Sequence, residues 1–470
     1  MATLAQDVRT RSPALAGRPI VAWPALVLLV GTVAVAVGWT GFIASDDQFY
    51  YFGALEWAQN GAFAGDSHWT TRFPLVLTLA AAIKAVGADP LALHLTAIAW
   101  YAAFVAVGIL LTRRVAGDRA GWMAGLLFAS MPLIATGGSI VNCDNPEAVF
   151  LMLGAWLLAG AVERLRLSRC LLAGVAFGLA MLSRETAVLA LSGLGILFLL
   201  GSPFPRWALV AVGCGAGLVL LGEAAFQWAM TGDPLHRYTL AFNHDSSLDR
   251  AANEEGNLLL HPAVDPLLVL FVNNEFALLF WLAIPAALAM RRGGMGWRRF
   301  APVLAMGAAS FLLVALLSHK LVLNPRYFTP TAVAATILVA AWLARMAPKR
   351  AATLLTVAVA ANLAMLSLQN NHPRWEATAL AQAAAADPSR AVAAAPETVS
   401  RAELSLRWAG LSNVRRDARY ALVAADEAGG FELVERYPAP WRPAGALLAF
   451  VGIEIDRLKA GQHMALVRLY

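Results

Sequence analysis

The sequence predicts an all-α polytopic membrane protein with a small C-terminal α/β domain. Of its 470 residues, 59% are hydrophobic and only 14% are charged, whereas soluble domains have about 25% charged residues. Uncharged runs of about 20 residues, the length that crosses a bilayer as a helix, recur up to residue 368. The tail that follows is more polar. The pattern predicts about 11 to 13 transmembrane helices.

The first predicted span is the run 19–45, which is too long for a signal-peptide core and is expected to stay as an uncleaved helix. The segment 73–88 carries Lys84. A helix of its length reaches about 24 Å, short of the ~30 Å hydrocarbon core, so it is predicted to lie along the outer interface. The other predicted spans are 90–112, 120–141, 147–162, 169–183, 186–202, 207–230, 266–290, 300–318, 327–345 and 351–368.

Short basic loops set the predicted orientation. With these spans, the loops 113–119, 163–169, 291–299 and 345–350 all fall on one side, and such loops face the cytoplasm. The formal net charge of +6 comes from these basic loops, and it therefore does not indicate nucleic-acid binding. The N-terminus is predicted inside and the C-terminus outside.

Two domains are expected: a membrane domain, 1–368, and a soluble extracytoplasmic domain, 369–470. Within the first, the outer loop 42–89 is polar enough to carry function, and 231–265 also faces outward. The tail contains three strand-like runs, 420–425, 431–436 and 447–453. It also contains a predicted helix, Ser400–Trp408, which begins with a capping-box pattern. The Ala-rich stretch 377–395 is either helix or linker.

The three cysteines, Cys143, Cys170 and Cys214, are far apart and have neither metal-ligand nor disulfide spacing. No cofactor is expected, and a divalent metal is left open but not indicated. No Asn-x-Ser/Thr sequon occurs, which weakly favours a bacterial setting.

Two acidic motifs lie on the predicted outer side. Asp46 and Asp47 directly follow the first span, where a partly desolvated carboxylate can accept a proton from a hydroxyl; capping of the next helix explains them equally well. Asp144, before Pro146, has the same two interpretations, with capping favoured for the isolated loop. Glu223, in the outer half of its helix, is expected to face the bundle interior.

Cations for a phosphate are available on the same side. Arg72, Arg184 and Arg326 each interrupt apolar or aromatic sequence. Any one of them could simply extend to the interface, but a polyprenyl phosphate needs donors at this depth.

These residues, in this order, resemble the GT-C class of glycosyltransferases, in the branch of the protein O-mannosyltransferases and lipid A aminoarabinose transferases. The resemblance covers most of 20–345. It implies that Asp46 is the catalytic base, in a motif where Asp47 replaces the usual Glu. It further implies that the donor or acceptor contacts Asp47, Tyr50, Arg72, Asp144, Arg184, Arg326 and Tyr327.

The predicted function is transfer of a sugar from a polyprenyl-phosphate donor to a lipid, glycan or protein acceptor outside the cytoplasm, by a single inverting displacement. A bacterial inner membrane is the expected location, with the active site facing the periplasm. The alternative is a transporter or flippase of a lipid-linked saccharide, which predicts internal symmetry that the sequence does not show. A membrane protein without chemistry is a third interpretation.

Overall fold

The computed structural model describes residues 22–245, 260–261, 263–291, 296–317, 323–368, 373–438 and 463–470. It is mostly helical. The helices of the membrane part are α1 Ala22–Val37, α2 Asp46–Gln59, α3 Phe73–Val86, α4 Pro90–Ala116, α5 Asp118–Ser130, α6 Pro132–Thr136, α7 Asp144–Glu163, α8 Leu167–Ser183, α9 Ala187–Leu200, α10 Arg206–Thr231, α11 His236–Asp245, α12 Asp265–Val272, α13 Leu279–Met290, α14 Trp297–Leu317, α15 Thr329–Leu343 and α16 Pro348–Ser367.

Within the described ranges, six helices are long and apolar enough to cross a membrane: α4, α7, α10, α14, α15 with the 3₁₀ turn before it, and α16. Shorter apolar helices lie in four of the other predicted spans, 19–45, 169–183, 186–202 and 266–290, and α3 occupies the predicted interfacial segment. With 14 residues, α3 reaches only about 21 Å. Its place along the membrane surface stays a prediction.

Two predicted spans, 120–141 and 266–290, are not continuous helices. The first breaks at Met131, whose ψ is 123°, because Pro132 disfavours helical geometry in the residue before it. The second breaks after α12, where the side chain of Asn273 accepts the backbone N–H of Glu275 at 2.9 Å and so competes with the helix. The two broken segments are hydrogen-bonded to each other, since the backbone N–H of Leu133 donates to the Glu275 carbonyl at 3.2 Å.

The four basic loops meet at one end of the bundle, as the predicted topology requires. Arg299 donates to the Arg114 carbonyl at 3.3 Å and pairs with Glu163 at 3.3 Å. Arg119 donates to the Met346 carbonyl at 3.4 Å. Because α7 is 20 residues long, its other end lies about 30 Å away, and Asp144 begins it there.

Close helix packing in the bundle depends on small residues. A Cβ added to Gly174 of α8 would lie 2.0 Å from the Val212 carbonyl oxygen, and one added to Gly215 of α10 would lie 2.1 Å from the Leu171 carbonyl oxygen. Real Cβ atoms do not approach so closely, so both glycines are needed for the α8–α10 contact. This is the small-residue packing typical of membrane helices.

The tail forms a four-stranded sheet with two helices, which we call the C-terminal unit. The elements are α17 Trp375–Ala386, β1 Val392–Ala393, α18 Pro396–Trp408, β2 Tyr420–Ala424, β3 Glu432–Tyr437 and β4 Met464–Arg468. The strand order is β1-β2-β4-β3, with β1 parallel to β2 and the other pairs antiparallel.

Most predictions for the tail are confirmed. Both strand-like runs before residue 437 are strands, and the Ala-rich stretch is helix α17 followed by β1. The third predicted strand, 447–453, lies outside the described residues. The predicted helix start at Ser400 is wrong, because α18 begins at Pro396, where the ring fits the first helical position without losing a hydrogen bond.

Candidate active site

The two adjacent carboxylates of the first outer loop have different environments. Asp47 is fully buried and accepts the backbone N–H groups of Ile43 at 2.7 Å, Ser45 at 2.8 Å and Gln48 at 3.0 Å. Burial raises the pKa of Asp47 to about 7, and these hydrogen bonds only partly oppose it. Asp47 thus holds the loop together, and its contact with the sugar or acceptor stays a prediction.

Asp46 is the exposed member of the pair. Its side chain is 41% exposed, and its Oδ2 lies 4.0 Å from Nη1 of Arg326, whose side chain is 37% exposed. The N-cap of α2 is Ser45, which makes no side-chain capping bond. Asp46 is therefore not used as the helix cap, and its carboxylate is accessible beside a cation.

Arg326 is held in place by the 3₁₀ turn Pro325–Phe328, which begins after Asn324. The Asn324 side chain accepts the backbone N–H of Arg326 at 3.1 Å. The Nε of Arg326 is buried and has no hydrogen-bond partner in the part of the chain that the structure describes. Arg326 also lines a polar cavity of about 10 Å³ together with Glu147 and Tyr327, so it keeps donor capacity toward a ligand.

Arg184 follows α8 and is buried. It donates to Asp144, its Nη1 lies 3.9 Å from Glu147, and its guanidinium is 4.4 Å from the centre of the Tyr327 ring. The structure thus brings Asp144, Arg184, Arg326 and Tyr327 together, although they come from distant parts of the sequence. Arg184 is occupied by its own partners and positions its neighbours.

Asp144 begins α7 but does not cap it. The Asn142 side chain accepts the backbone N–H groups of Asp144 at 3.1 Å and of Asn145 at 3.2 Å, which is the capping function. The carboxylate of Asp144 is thereby left for Arg184. Of the two interpretations open from the sequence, the geometry disfavours the cap, and the contact of Asp144 with sugar or acceptor stays a prediction.

Arg72 lies between the first outer loop and the bundle. It is 9% exposed, and its Nη1 donates to the Tyr50 hydroxyl and to Cys143 Sγ, the latter at 3.0 Å. Its Nη2 is 3.9 Å from Glu185. Tyr50 and Arg72 are thus in contact, and Arg72 is surrounded by protein groups that make it part of the loop's structure; the contact of either with substrate stays a prediction.

Sequence reasoning missed two residues, Glu185 and Arg237. Arg237 of α11 is 1% exposed and donates to Glu185 at 2.7 Å, to the Thr71 carbonyl at 3.0 Å and to the Leu182 carbonyl at 2.9 Å. Arg237 thereby joins the outer loop 231–265 to the outer loop 42–89. The sequence offered only a weak signal, one of two arginines in the outer loop 231–265 and a glutamate directly after Arg184.

Glu185 has a pKa of about 2, below its ordinary 4.5. Burial by itself would raise the pKa, but the guanidinium groups of Arg237 and Arg72 outweigh burial and lower it. The ionised group therefore contributes stability that is complete above pH ~4.5 and is lost as the pH falls toward ~2.

This stability change predicts an acid-sensitive fold. We expect the apparent melting temperature of the purified protein to fall between about pH 5 and pH 3, and to fall less in Glu185→Gln, which has no proton to take up there. Equal acid sensitivity of the two proteins would contradict the assignment. A thermal scan at each pH measures it.

Glu223 is buried, as predicted from the sequence, and its Oε1 has no partner among the described residues. Across the described ranges, no three His, Cys, Asp or Glu side chains lie together as metal ligands.

Residues 71–225 match a family model described as dolichyl-phosphate-mannose-protein mannosyltransferase. The matched stretch contains Arg72, Asp144 and Arg184 but not Asp46 or Arg326. No curated protein matches the chain.

The structure is similar to that of ArnT from Cupriavidus metallidurans in the apo state, with a TM-score of 0.58 and 13% identity over 95% of this chain and 97% of ArnT. ArnT bound to undecaprenyl phosphate gives a TM-score of 0.59 at 12% identity over the same shares of the two chains. The chain has the GT-C glycosyltransferase fold. The Archaeoglobus fulgidus oligosaccharyltransferase tethered with an acceptor peptide gives a TM-score of 0.54 at 14% identity, over 86% of this chain and 69% of that one.

The GT-C fold and the family match confirm the class inferred from the sequence, a membrane glycosyltransferase. They give no support to the flippase alternative. In this GT-C chain, the first outer loop, the start of α7, the end of α8 and the turn before α15 together form the candidate active site.

Proposed function

We propose that this glycosyltransferase moves a sugar from a polyprenyl-phosphate donor to an acceptor hydroxyl on the extracytoplasmic side of a bacterial inner membrane. One observation carries the proposal. An exposed carboxylate, Asp46, lies 4.0 Å from an exposed guanidinium, that of Arg326, at the end of the bundle opposite the basic loops. A base for the acceptor and a cation for the leaving phosphate are thus adjacent.

The chemistry follows from this pair. Asp46 accepts the proton of the acceptor hydroxyl as its oxygen attacks the anomeric carbon. The bond from that carbon to the phosphate oxygen breaks, and the polyprenyl phosphate leaves with the electron pair. Arg326 stabilises the negative charge that develops on the phosphate. Attack from the face opposite the leaving group inverts the anomeric configuration, so the sugar has to enter between Asp46 and Arg326 and separate the pair that lies 4.0 Å apart without substrate.

The other predicted residues act mainly by positioning. Arg184 orders Asp144 and the Tyr327 ring beneath Arg326, and Arg72 orders the loop around Tyr50. ArnT has been obtained with bound undecaprenyl phosphate, which supports a lipid phosphate as the donor's leaving group. The acceptor class stays open between lipid, glycan and protein.

The test is a transfer assay with the purified protein in lipid vesicles. A sugar-labelled polyprenyl phosphate should yield labelled acceptor and free polyprenyl phosphate, and a nucleotide sugar should yield neither. Movement of intact lipid-linked sugar across the vesicle, or transfer directly from the nucleotide sugar, would overturn the proposal.

Arg326→Gln is expected to raise the KM for the lipid-linked donor by about 10- to 100-fold, because one charge-assisted hydrogen bond to phosphate is lost. Arg113→Gln is the matched control, since Arg113 pairs with Asp118 at the opposite end of the bundle. It should leave the KM unchanged. An equal KM in both variants would remove Arg326 from the phosphate site.

A further inference from the structure

The C-terminal unit contacts the loop that carries Asp46. The Ile43 carbonyl accepts the backbone N–H of Arg374 at 3.1 Å. On the other side of Asp46, Gln48 Nε2 donates to the Ser400 carbonyl of α18 at 2.8 Å. The catalytic loop is thus bonded to the C-terminal unit both before and after the proposed base.

Aromatic contacts extend this attachment. The Trp408 ring at the end of α18 meets the Phe42 ring edge-on at 5.0 Å and the Tyr51 ring edge-on at 5.2 Å between centroids. Leu404 of the same helix is fully buried in the hydrophobic cluster formed by α2, α3 and the start of α4. One face of α18 is therefore packed against the first outer loop.

Ala44 shows that this contact constrains the backbone. Its φ is +58°, a left-handed conformation that a residue with a Cβ rarely adopts. Ala44 is 3% exposed and belongs to the core of the C-terminal unit, and its carbonyl accepts Nη1 of Arg401 at 3.4 Å. Such a conformation persists only where the surroundings enforce it. It lies two residues before Asp46.

The stability of the fold does not by itself explain why the buried position 48 is a glutamine. It is 2% exposed, and its Oε1 is buried without a hydrogen-bond partner in the described ranges. A buried acceptor left unpaired is unfavourable. Methionine has nearly the same length and shape and would fill the site without this defect. Compared with methionine, glutamine adds the hydrogen bond from Nε2 to the Ser400 carbonyl.

We propose that Gln48 is a positioning residue, through which the C-terminal unit sets the orientation of Asp46 for sugar transfer. The inference rests on the proposed function and deepens it. Gln48 contacts neither substrate nor the reacting atoms. Its bond to Ser400 fixes the first turn of α2, from which the Asp46 carboxylate projects.

The test compares Gln48→Met with the wild-type protein in the vesicle transfer assay. We expect kcat to fall about 10- to 100-fold, the effect of a misplaced reacting group, while the KM for the lipid-linked donor stays within about twofold. The apparent melting temperature should be unchanged or higher, because the unpaired oxygen is removed. Gln59→Met makes the same change at the exposed end of α2 and should behave as wild type.

A second variant, Ala44→Gly, tests the same attachment. Glycine adopts a positive φ freely, so the protein should fold, but the loop gains other conformations and loses its methyl contact. We expect kcat to fall and the donor KM to hold. Unchanged kcat in both variants, with an active wild type, would overturn the positioning role and leave the proposed function intact. An inactive wild type with every lipid-linked donor would instead count against the proposed function.

Discussion

Asp46→Asn is expected to lower kcat for sugar transfer by about 10²- to 10⁴-fold, the usual contribution of a general base. Asparagine has the same shape but cannot accept the proton. The change also removes the negative charge 4.0 Å from Arg326, so binding of the donor phosphate should not weaken. Initial rates at saturating lipid-linked sugar measure the loss, and the donor KM should be equal or lower.

Two control variants sharpen this result. Asp66→Asn alters an exposed carboxylate of the same outer loop, and the new amide oxygen can still accept the Thr70 hydroxyl; full activity is expected. Asp47→Asn should lower thermal stability, since its two side-chain oxygens accept three backbone N–H groups. Full transfer by Asp46→Asn would disprove the base assignment. Lost transfer in a stably folded Asp47→Asn, with Asp46→Asn active, would move the base to Asp47.

Arg237→Met is expected to destabilise the protein by about 3 kcal/mol, the lower end of the cost of breaking a buried ion pair, because Glu185 keeps Arg72 at 3.9 Å. Arg237 is 1% exposed, and its loss removes the side-chain donor to the Leu182 carbonyl and one of two donors to the Thr71 carbonyl, which also accepts the backbone N–H of Phe73. The apparent melting temperature in detergent measures the change. Activity should fall as well, because Thr71 adjoins Arg72.

Replacing Glu185, the ion-pair partner of Arg237, as well tests this explanation of the stability loss. Glu185→Leu combined with Arg237→Met should recover part of the lost stability, since a buried pair replaced on both sides costs less than a broken one. Arg113→Met is the matched exposed case, because that arginine is 41% exposed in its pair with Asp118; it should change stability by less than about 1 kcal/mol. A double variant less stable than Arg237→Met would contradict the ion-pair explanation.

Much of the candidate site could be predicted from the sequence. Asp46, Arg72, Asp144, Arg184 and Arg326 were each found as charged groups on the predicted outer side, and the structure gathers them at one end of the bundle. Charged residues in apolar sequence are costly, so they stand out and mark sites. Their individual roles did not follow, because partners distant in the sequence set them.

The sequence by itself determined the fold class, the placement of most of the apolar helices, the grouping of the basic loops at one end and the polar end that carries the site. These features depend on local composition, since a segment of about 20 apolar residues meets the requirements of the bilayer wherever it stands in the chain. The tertiary structure decided which of Asp46 and Asp47 is exposed, which arginine is free to bind phosphate, and that Gln48 reaches Ser400. Those outcomes depend on contacts between residues far apart in the chain, where burial and hydrogen-bond partners are set by packing and not by neighbours in sequence.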